Sequence, residues 1–244
     1  MIKKISIIIP IYNEQNNITN LIEEIRSVLK SKINYEIIVV NDGSDDSSLK
    51  VLEEMRKNII VISHKKKYGQ SIGLKTGIIH AKNEYIITLD GDGQNDPIDI
   101  LKLIKYFDER EDFMMVIGNR VNRIDTRARR IASRLAFQIR RLLLNDNTPD
   151  TGCALKLFRK KDFLLLPFFN HIHRFLPFLF NSFKGKIVSI PVNHRPRGSG
   201  ISKYSNFQRF LVGINDLYGV IWLRKRSVWP ILIKTSKDLK GKEK

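Results

Sequence analysis

The sequence predicts an α/β domain built on a mostly parallel sheet flanked by helices, with C-terminal amphipathic helices that face a membrane. Three observations predict it. Short, nearly continuous apolar runs alternate with stretches whose apolar residues recur at helical spacing. Such runs suit strands buried on both faces, as parallel strands are. Beyond the sheet, Phe207 to Ile233 mixes Trp222, Trp229, Tyr218 and Phe210 with Arg224, Lys225 and Arg226, the composition of an interfacial helix or a partner-binding face.

The first apolar run, Ile5 to Ile9, stops at Pro10-Ile11-Tyr12-Asn13-Glu14, and Ile18, Leu21, Ile22, Ile25 and Leu29 then mark one face of a helix. The second, Ile37 to Val40, breaks at Asn41-Asp42-Gly43-Ser44-Asp45-Asp46. Leu49, Val51, Leu52 and Met55 follow on a helix that Ser44 or Asp45 is placed to cap. A third unit runs from Ile59 to Ile62 through His64 to Gly69 into a helix near Gln70 to Ala81. The fourth strand, Tyr85 to Leu89, delivers Asp90-Gly91-Asp92-Gly93-Gln94-Asn95-Asp96-Pro97. Ligands in such sheets sit outside the carboxyl ends of the strands, and Tyr12, Glu14, Asp42 and Asp90 all fall there. Two carboxylates at i and i+2, with an amide two residues on, suit Mg²⁺ or Mn²⁺ that also holds phosphate oxygens. The same letters also occur in ordinary acidic turns.

Composition narrows the partners. Lysine and arginine total 43 against 25 acids, a net charge of +18, which favours phosphorylated substrates, an anionic membrane surface or nucleic acid; a composition rich in Ile, Lys and Asn inflates lysine in its own right. Cys153 is the only cysteine, so disulfide frameworks and cysteine-rich zinc sites are excluded. No run approaches the ~20 apolar residues of a spanning helix, and the first strand starts within a few residues, so neither a membrane span nor a leader is expected. The expectation is a cytoplasmic protein, peripheral on the inner membrane. The 244 residues divide into a catalytic domain, 1–205, a helical segment, 206–233, and a basic tail, 234–244.

Pro10-Ile11-Tyr12-Asn13-Glu14, Asn41-Asp42-Gly43-Ser44 and Leu89-Asp90-Gly91-Asp92-Gly93-Gln94 with Asp96-Pro97 resemble the nucleotide-sugar core of glycosyltransferase family 2. The likeness, from about Ile5 to about Tyr204, is to the dolichyl-phosphate mannose synthase branch with its bacterial polyprenyl-phosphate sugar synthases. It implies a GT-A type, Rossmann-like fold and inverting, metal-dependent transfer from a UDP- or GDP-linked sugar to undecaprenyl or dolichyl phosphate. It implies Pro10, Tyr12, Glu14, Asp42, Asp90, Gly91, Asp92 and Gln94 as the donor site, with Asp90, Asp92 and Gln94 holding the cation. Gly118-Asn119-Arg120 matches a loop whose arginine faces the acceptor, and Arg197 and Lys203 lie on a basic loop, Arg195 to Tyr204, that closes over the phosphates. Asp92, Arg120, Arg197 and Lys203 are then the catalytic set, with Arg120, Arg130 and Arg134 at the acceptor phosphate. Asn41 departs from the pattern, since many relatives carry a second aspartate there.

A hydroxyl acceptor needs a general base, whereas a phosphate monoester is already anionic. No Glu-Asp pair follows the metal motif, and Asp150 reads as either that base or a turn residue. Arginines from Arg120 to Arg141 suit phosphate, though Ile131, Leu135, Ile139 and Leu142 also read as the apolar stripe of a helix with a solvated basic face. Phe163 to Phe183 reads as lipid-facing or as core. His64 and His194 lie in loops where phosphate would sit, and His171 and His173 read as structural or acceptor contacts. Two rival readings stay open: transfer to a hydroxyl of an envelope glycan or lipid, and a basic RNA- or lipid-binding protein without catalysis. A processive synthase is set aside because Gln138-Ile139-Arg140-Arg141-Leu142 lacks the expected tryptophan. The expected partners are a nucleotide sugar, polyprenyl phosphate, an anionic membrane surface and an integral membrane partner, with no nucleic acid.

Overall fold

The chain divides into two compact units, Met1–Lys203 and Tyr204–Lys244; within them the computed structural model describes residues 2–111, 113–121, 127–196 and 206–226. The first unit runs β1 (Lys4–Ile11), α1 (Ile18–Leu29), β2 (Asn34–Asn41), α2 (Ser48–Met55), β3 (Ile60–Ser63), α3 (Gln70–His80), β4 (Tyr85–Thr88), α4 (Asp99–Tyr106), β5 (Met115–Arg120) and α5 (Arg127–Leu144). It continues through β6 (Lys156–Arg159), α6 (Lys160–Leu165), a 3₁₀ turn (Ile172–Arg174), α7 (Leu176–Ser182) and β7 (Ile187–Val192). Among the described residues the second unit contributes α8 (Asn206–Arg226); residues 227–244, with the rest of the expected helical segment and the predicted tail, lie outside them.

The seven strands form one sheet in the order β3-β2-β1-β4-β6-β5-β7. Only β6 runs against the rest, antiparallel to β4 and β5. The strands read as unbroken apolar runs because helices cover both faces. Ile5, Ile7, Ile8 and Ile9 are fully buried, as are Ile18, Ile22, Ile25 and Leu29 of α1, each such side chain contributing about 1.5–3 kcal/mol over its exposed state. α3 packs unusually close to the sheet. A Cβ on Gly73 would lie 2.8 Å from Pro10 Cβ, and one on Gly77 would fall on Ile8 Cγ2. Glycine costs helix stability, and here it lets the helix backbone sit against β1.

Several expectations need correction. Gly118-Asn119-Arg120 is not a loop but the end of β5, paired with Ile190, Pro191 and Val192. The N-cap of α2 is neither Ser44 nor Asp45 but Ser47, whose side chain makes no capping bond; the Asp46 carboxylate accepts from Ser48 N at 2.9 Å, and Ser44 and Asp45 are engaged by Asn13. Phe163, Leu166, Phe175, Leu176, Phe178, Leu179 and Phe180 are buried, and Phe163 stacks on Phe158 of β6, so Phe163 to Phe183 is mainly core. Of the stripe expected on α5, Leu135 and Leu142 are 54% and 84% exposed and Ile139 is half-buried, while the Ile131 side chain lies outside the described residues. No described helix is long and apolar enough to cross a membrane.

Candidate active site

The carboxyl ends of β1, β2, β3, β4, β5 and β7 and the start of β6 share one edge of the sheet, and every sequence motif empties onto that edge. The loop after β1 is laced to the loop after β2. Asn13 takes φ 58°, a left-handed conformation that asparagine tolerates. Its backbone N donates to Ser44 Oγ at 2.9 Å, its Oδ1 accepts from Asp45 N at 3.1 Å, and its amide nitrogen donates to the Asp45 carboxylate. Glu14 N donates to Ser48 Oγ at 2.9 Å. Asn41 both donates to Ser63 Oγ at 3.0 Å and accepts from Ser44 N at 3.1 Å. An aspartate there would accept from both partners, with Ser63 turning its hydroxyl to donate.

Asp42 is buried and organises the β3–α3 loop. Its carboxylate accepts from Tyr68 N at 2.9 Å and Gly69 N at 2.6 Å and meets His64 Nδ1 at 2.8 Å. His64 Nε2 reaches Thr76 Oγ1 at 3.0 Å. Both ring nitrogens are thus engaged, which corrects the expectation that His64 is available to phosphate. Tyr12 opens to the surface, its hydroxyl 3.3 Å from Asp45 and its ring beneath Lys67 Nζ at 3.9 Å. Pro10 is buried at the end of β1, and Glu14 is 9% exposed.

The acidic loop leaves β4 between these walls. Gly91 is buried, and a Cβ there would lie 2.5 Å from Ile11 Cγ2, so no larger residue fits. Gln70, the first residue of α3, donates its amide to Asp90 Oδ1 at 2.7 Å. Asp92 Oδ1 accepts from Gln94 N at 3.2 Å. Burial first, then the Asp92 charge, push the Asp90 carboxyl from its ordinary 3.8 up to about 6, with Glu14 adding and with Arg120 and Lys156 opposing. Gln94 Nε2 donates to the Arg195 carbonyl at 3.3 Å, which turns the other amide atom, Oε1, away as a hard oxygen donor. Two crowded carboxylates and an oriented amide oxygen fit a divalent cation that completes its shell with phosphate and water. Among the described residues no three His, Cys, Asp or Glu side chains form a metal cage of their own.

The segment after β7 is fastened to this loop. Arg195 N donates to Gln94 O at 2.9 Å, and its guanidinium reaches Asp96 at 2.8 Å and Glu24 at 2.6 Å. Asn193 N donates to Asp99 Oδ2 at 2.7 Å. Arg197 and Lys203 lie outside the described residues.

On the far side stands Arg120. It grips Asp150 through two parallel bonds, Nε to Oδ2 at 2.6 Å and NH2 to Oδ1 at 2.8 Å, with side-chain exposures of 14% and 5%. Burial lowers the pKa of the guanidinium; Asp150 first, then Cys153 and Asp90, outweigh it and hold the pKa above the ordinary value. Gly152 leaves the room, since a Cβ there would lie 3.3 Å from Arg120 NH2. Lys156, 3% exposed at the head of β6, donates to the Cys153 carbonyl. Its ammonium is disfavoured by burial and supported by Asp90 and Asp150. The Arg130 side chain lies outside the described residues. Arg134 is exposed on α5, with no hydrogen bond or ion pair to Asp90, Asp92 or Arg120 among the described residues. Gln70 and Lys156 belong to no motif. Lys156 nonetheless left a signal, a lone lysine inside the apolar run Ala154 to Phe158, where a charge is rarely buried unless partnered.

Comparison with known proteins agrees with this geometry. Residues 6–165 match the family model described as glycosyl transferase family 2. Over 230 residues the chain is 36% identical to undecaprenyl-phosphate 4-deoxy-4-formamido-L-arabinose transferase of Enterobacter sp. (strain 638), covering 90% of this chain and 67% of that one. Glucosyl-3-phosphoglycerate synthase from Mycobacterium tuberculosis, crystallised with Mg²⁺ and UDP, superposes with a TM-score of 0.68 at 15% identity, covering 91% of this chain and 79% of that one. Its complex with Mn²⁺, UDP and phosphoglyceric acid gives 0.65 at 17% identity, covering 93% and 80%. At such identities the two structures are a likeness of fold.

Proposed function

The chain belongs to glycosyl transferase family 2, and from that premise we propose that it transfers a sugar from a nucleoside-diphosphate donor to a polyprenyl phosphate, inverting the anomeric carbon, at the cytoplasmic face of the membrane. It is a glycosyltransferase of GT-A type fold. One observation carries the choice of acceptor: the Asp150 carboxylate is tied to Arg120 by a two-point ion pair of 2.6 and 2.8 Å. A carboxylate so engaged is a poor base, so a hydroxyl acceptor has no activating group at that position. A phosphate monoester needs none, and Arg120, charged and backed by Asp150, suits it.

In this reading Pro10, Tyr12, Glu14, Asp42 and Gly91 shape the nucleotide pocket, with Asp42 acting chiefly through the loop it fixes. Asp90, Asp92 and Gln94 hold Mg²⁺ or Mn²⁺, and the chemistry that ion supplies when bound is neutralisation of the departing diphosphate. Arg120 aligns the attacking phosphate oxygen against the anomeric carbon. Arg197 and Lys203 add positive charge over the diphosphate. An anionic membrane surface, with or without an integral partner, presents the acceptor.

The test offers radiolabelled UDP- and GDP-sugars with undecaprenyl phosphate and Mn²⁺ and counts label entering the organic phase. Transfer that stops on chelation is the expected result. Transfer to a hydroxyl-bearing lipid but never to the lipid phosphate overturns the acceptor; no nucleotide-sugar turnover with either acceptor overturns the reading as a whole.

A further inference from the structure

Ser71 follows Gln70 in the first turn of α3, so the two neighbours face different tasks: Gln70 holds Asp90, and Ser71 holds His173 of the 3₁₀ turn. Ser71 Oγ lies 2.7 Å from His173 Nδ1 and accepts from His173 N at 3.4 Å. Ser71 is fully buried, so no water takes its proton. Among the described residues the only acceptor within reach of that hydroxyl is Nδ1. A buried hydroxyl places its proton where an acceptor stands, so Nδ1 is the bare nitrogen and the ring proton sits on Nε2. Nε2 has no partner among the described residues.

His173 also shares the charged surroundings of the site. Its anchor Ser71 is the chain neighbour of Gln70, whose amide donates to Asp90 Oδ1 at 2.7 Å, and Lys156 is among the charges acting on His173. Burial first, and then Arg174 and Lys156, hold the imidazole well below its ordinary 6.5, so it is a neutral ring at working pH.

We propose that His173, with its tautomer fixed by Ser71, presents Nε2–H as a hydrogen-bond donor to a hydroxyl of the transferred sugar and so contributes to the choice of donor. The proposal rests on the nucleotide-sugar reading above. A neutral donor is suited to a sugar because it selects a hydroxyl without attracting the diphosphate. A site built to pair with one hydroxyl discriminates against an epimer or deoxy analogue that leaves the donor unpaired.

The two amide replacements separate this role from a structural one. Glutamine places an N–H near the position of Nε2, whereas asparagine places its amide near Nδ1, against Ser71. Affinities of the full-length chain for UDP, UDP-glucose, UDP-galactose, UDP-N-acetylglucosamine, GDP and GDP-mannose are measured calorimetrically with Mn²⁺, beside the melting temperature. The best sugar nucleotide is expected to lose about 10-fold or more in affinity in His173→Asn, to lose less than about 3-fold in His173→Gln, and UDP or GDP alone to change in neither. Retention in His173→Asn with loss in His173→Gln overturns the proposal, because the Ser71 link would then be what matters. Equal weakening of nucleotide and sugar nucleotide overturns it too, as does a wild type for which no sugar alters nucleotide affinity. Binding is read without any acceptor, so failure of the lipid-phosphate reading leaves this outcome intact.

Discussion

Asp90 is protonated more readily in the folded chain, at about 6, than in the unfolded chain, at its ordinary 3.8. The folded state therefore holds the extra proton between those values, and the stability linked to protonating Asp90 is fully present below about 3.8 and lost as pH rises through about 6. At roughly 1.4 kcal/mol per pH unit the loss is about 3 kcal/mol. Two outcomes follow for calorimetry at pH 5 and pH 8. Asp90→Asn raises the melting temperature of the metal-free protein at pH 8 while abolishing Mn²⁺ binding, and Mn²⁺ stabilises the wild type at pH 8 far more than at pH 5. An Asp90→Asn chain that melts lower than wild type at pH 8 contradicts this account. The opposite sign is expected of Asp150→Asn. It leaves the buried Arg120 charge facing a neutral amide, which costs about 3 kcal/mol or more; urea titration measures the loss, and an unchanged midpoint contradicts a structural role for the pair.

At the scale of elements, α3 carries the argument, because its first turn supplies Gln70 and Ser71 and its flank lies against β1. Gly77→Ala places a methyl group on Ile8 Cγ2. Overpacking of this kind typically costs about 1–3 kcal/mol, more than the gain of about 1 kcal/mol that alanine gives a helix, so the variant should unfold at lower urea; a higher midpoint refutes the close packing. The same helix shows what a sequence can and cannot disclose. β1 to β4 were legible because burial on both faces leaves only apolar letters, and the ends of those runs located Asp42, Asp90 and Asp92. β6 was not legible, since its four residues begin with Lys156 and end with Arg159, both buried. Its charges are compensated by groups distant in the chain: Arg159 donates to the carbonyls of Glu109 and Glu111. Gln70 was hidden for the same reason, as nothing local marks the residue that reaches Asp90 twenty positions away. The exposure of Leu135 and Leu142 on α5 was not legible because periodicity reports which residues share a face, not whether that face is covered.

For the whole molecule, that uncovered face gains a meaning from net charge. The chain carries +18, and such an excess draws it toward anionic surfaces over about a Debye length, ~8–10 Å in physiological salt. Attraction of that range does not fix an orientation; inserted apolar side chains do. Leu135 and Leu142, seven residues apart and therefore on one side of α5, are exposed beside the exposed Arg134 and Arg141, the pattern of a helix that lies in a lipid interface. α5 follows the strand that ends in Arg120, so a membrane met by this face brings lipid headgroups to the unit that holds the arginine proposed to meet the acceptor. On α8, Tyr218 and Trp222, at i and i+4, are 71% and 61% exposed ahead of Arg224, Lys225 and Arg226. Cosedimentation with phosphatidylglycerol vesicles should therefore weaken about 10-fold or more in the double variant Leu135→Ser, Leu142→Ser, since each leucine gives up about 1.5–3 kcal/mol of transfer energy when fully inserted. Tyr218→Ser, Trp222→Ser should weaken it independently, so that the two losses multiply. Raising salt should erase the charge contribution in every variant and leave the leucine effect in place. Unchanged sedimentation of the α5 variant at high salt excludes insertion of that face, and loss of catalysis on lipid phosphate without loss of vesicle binding moves the role of these leucines from membrane docking to the acceptor chain itself.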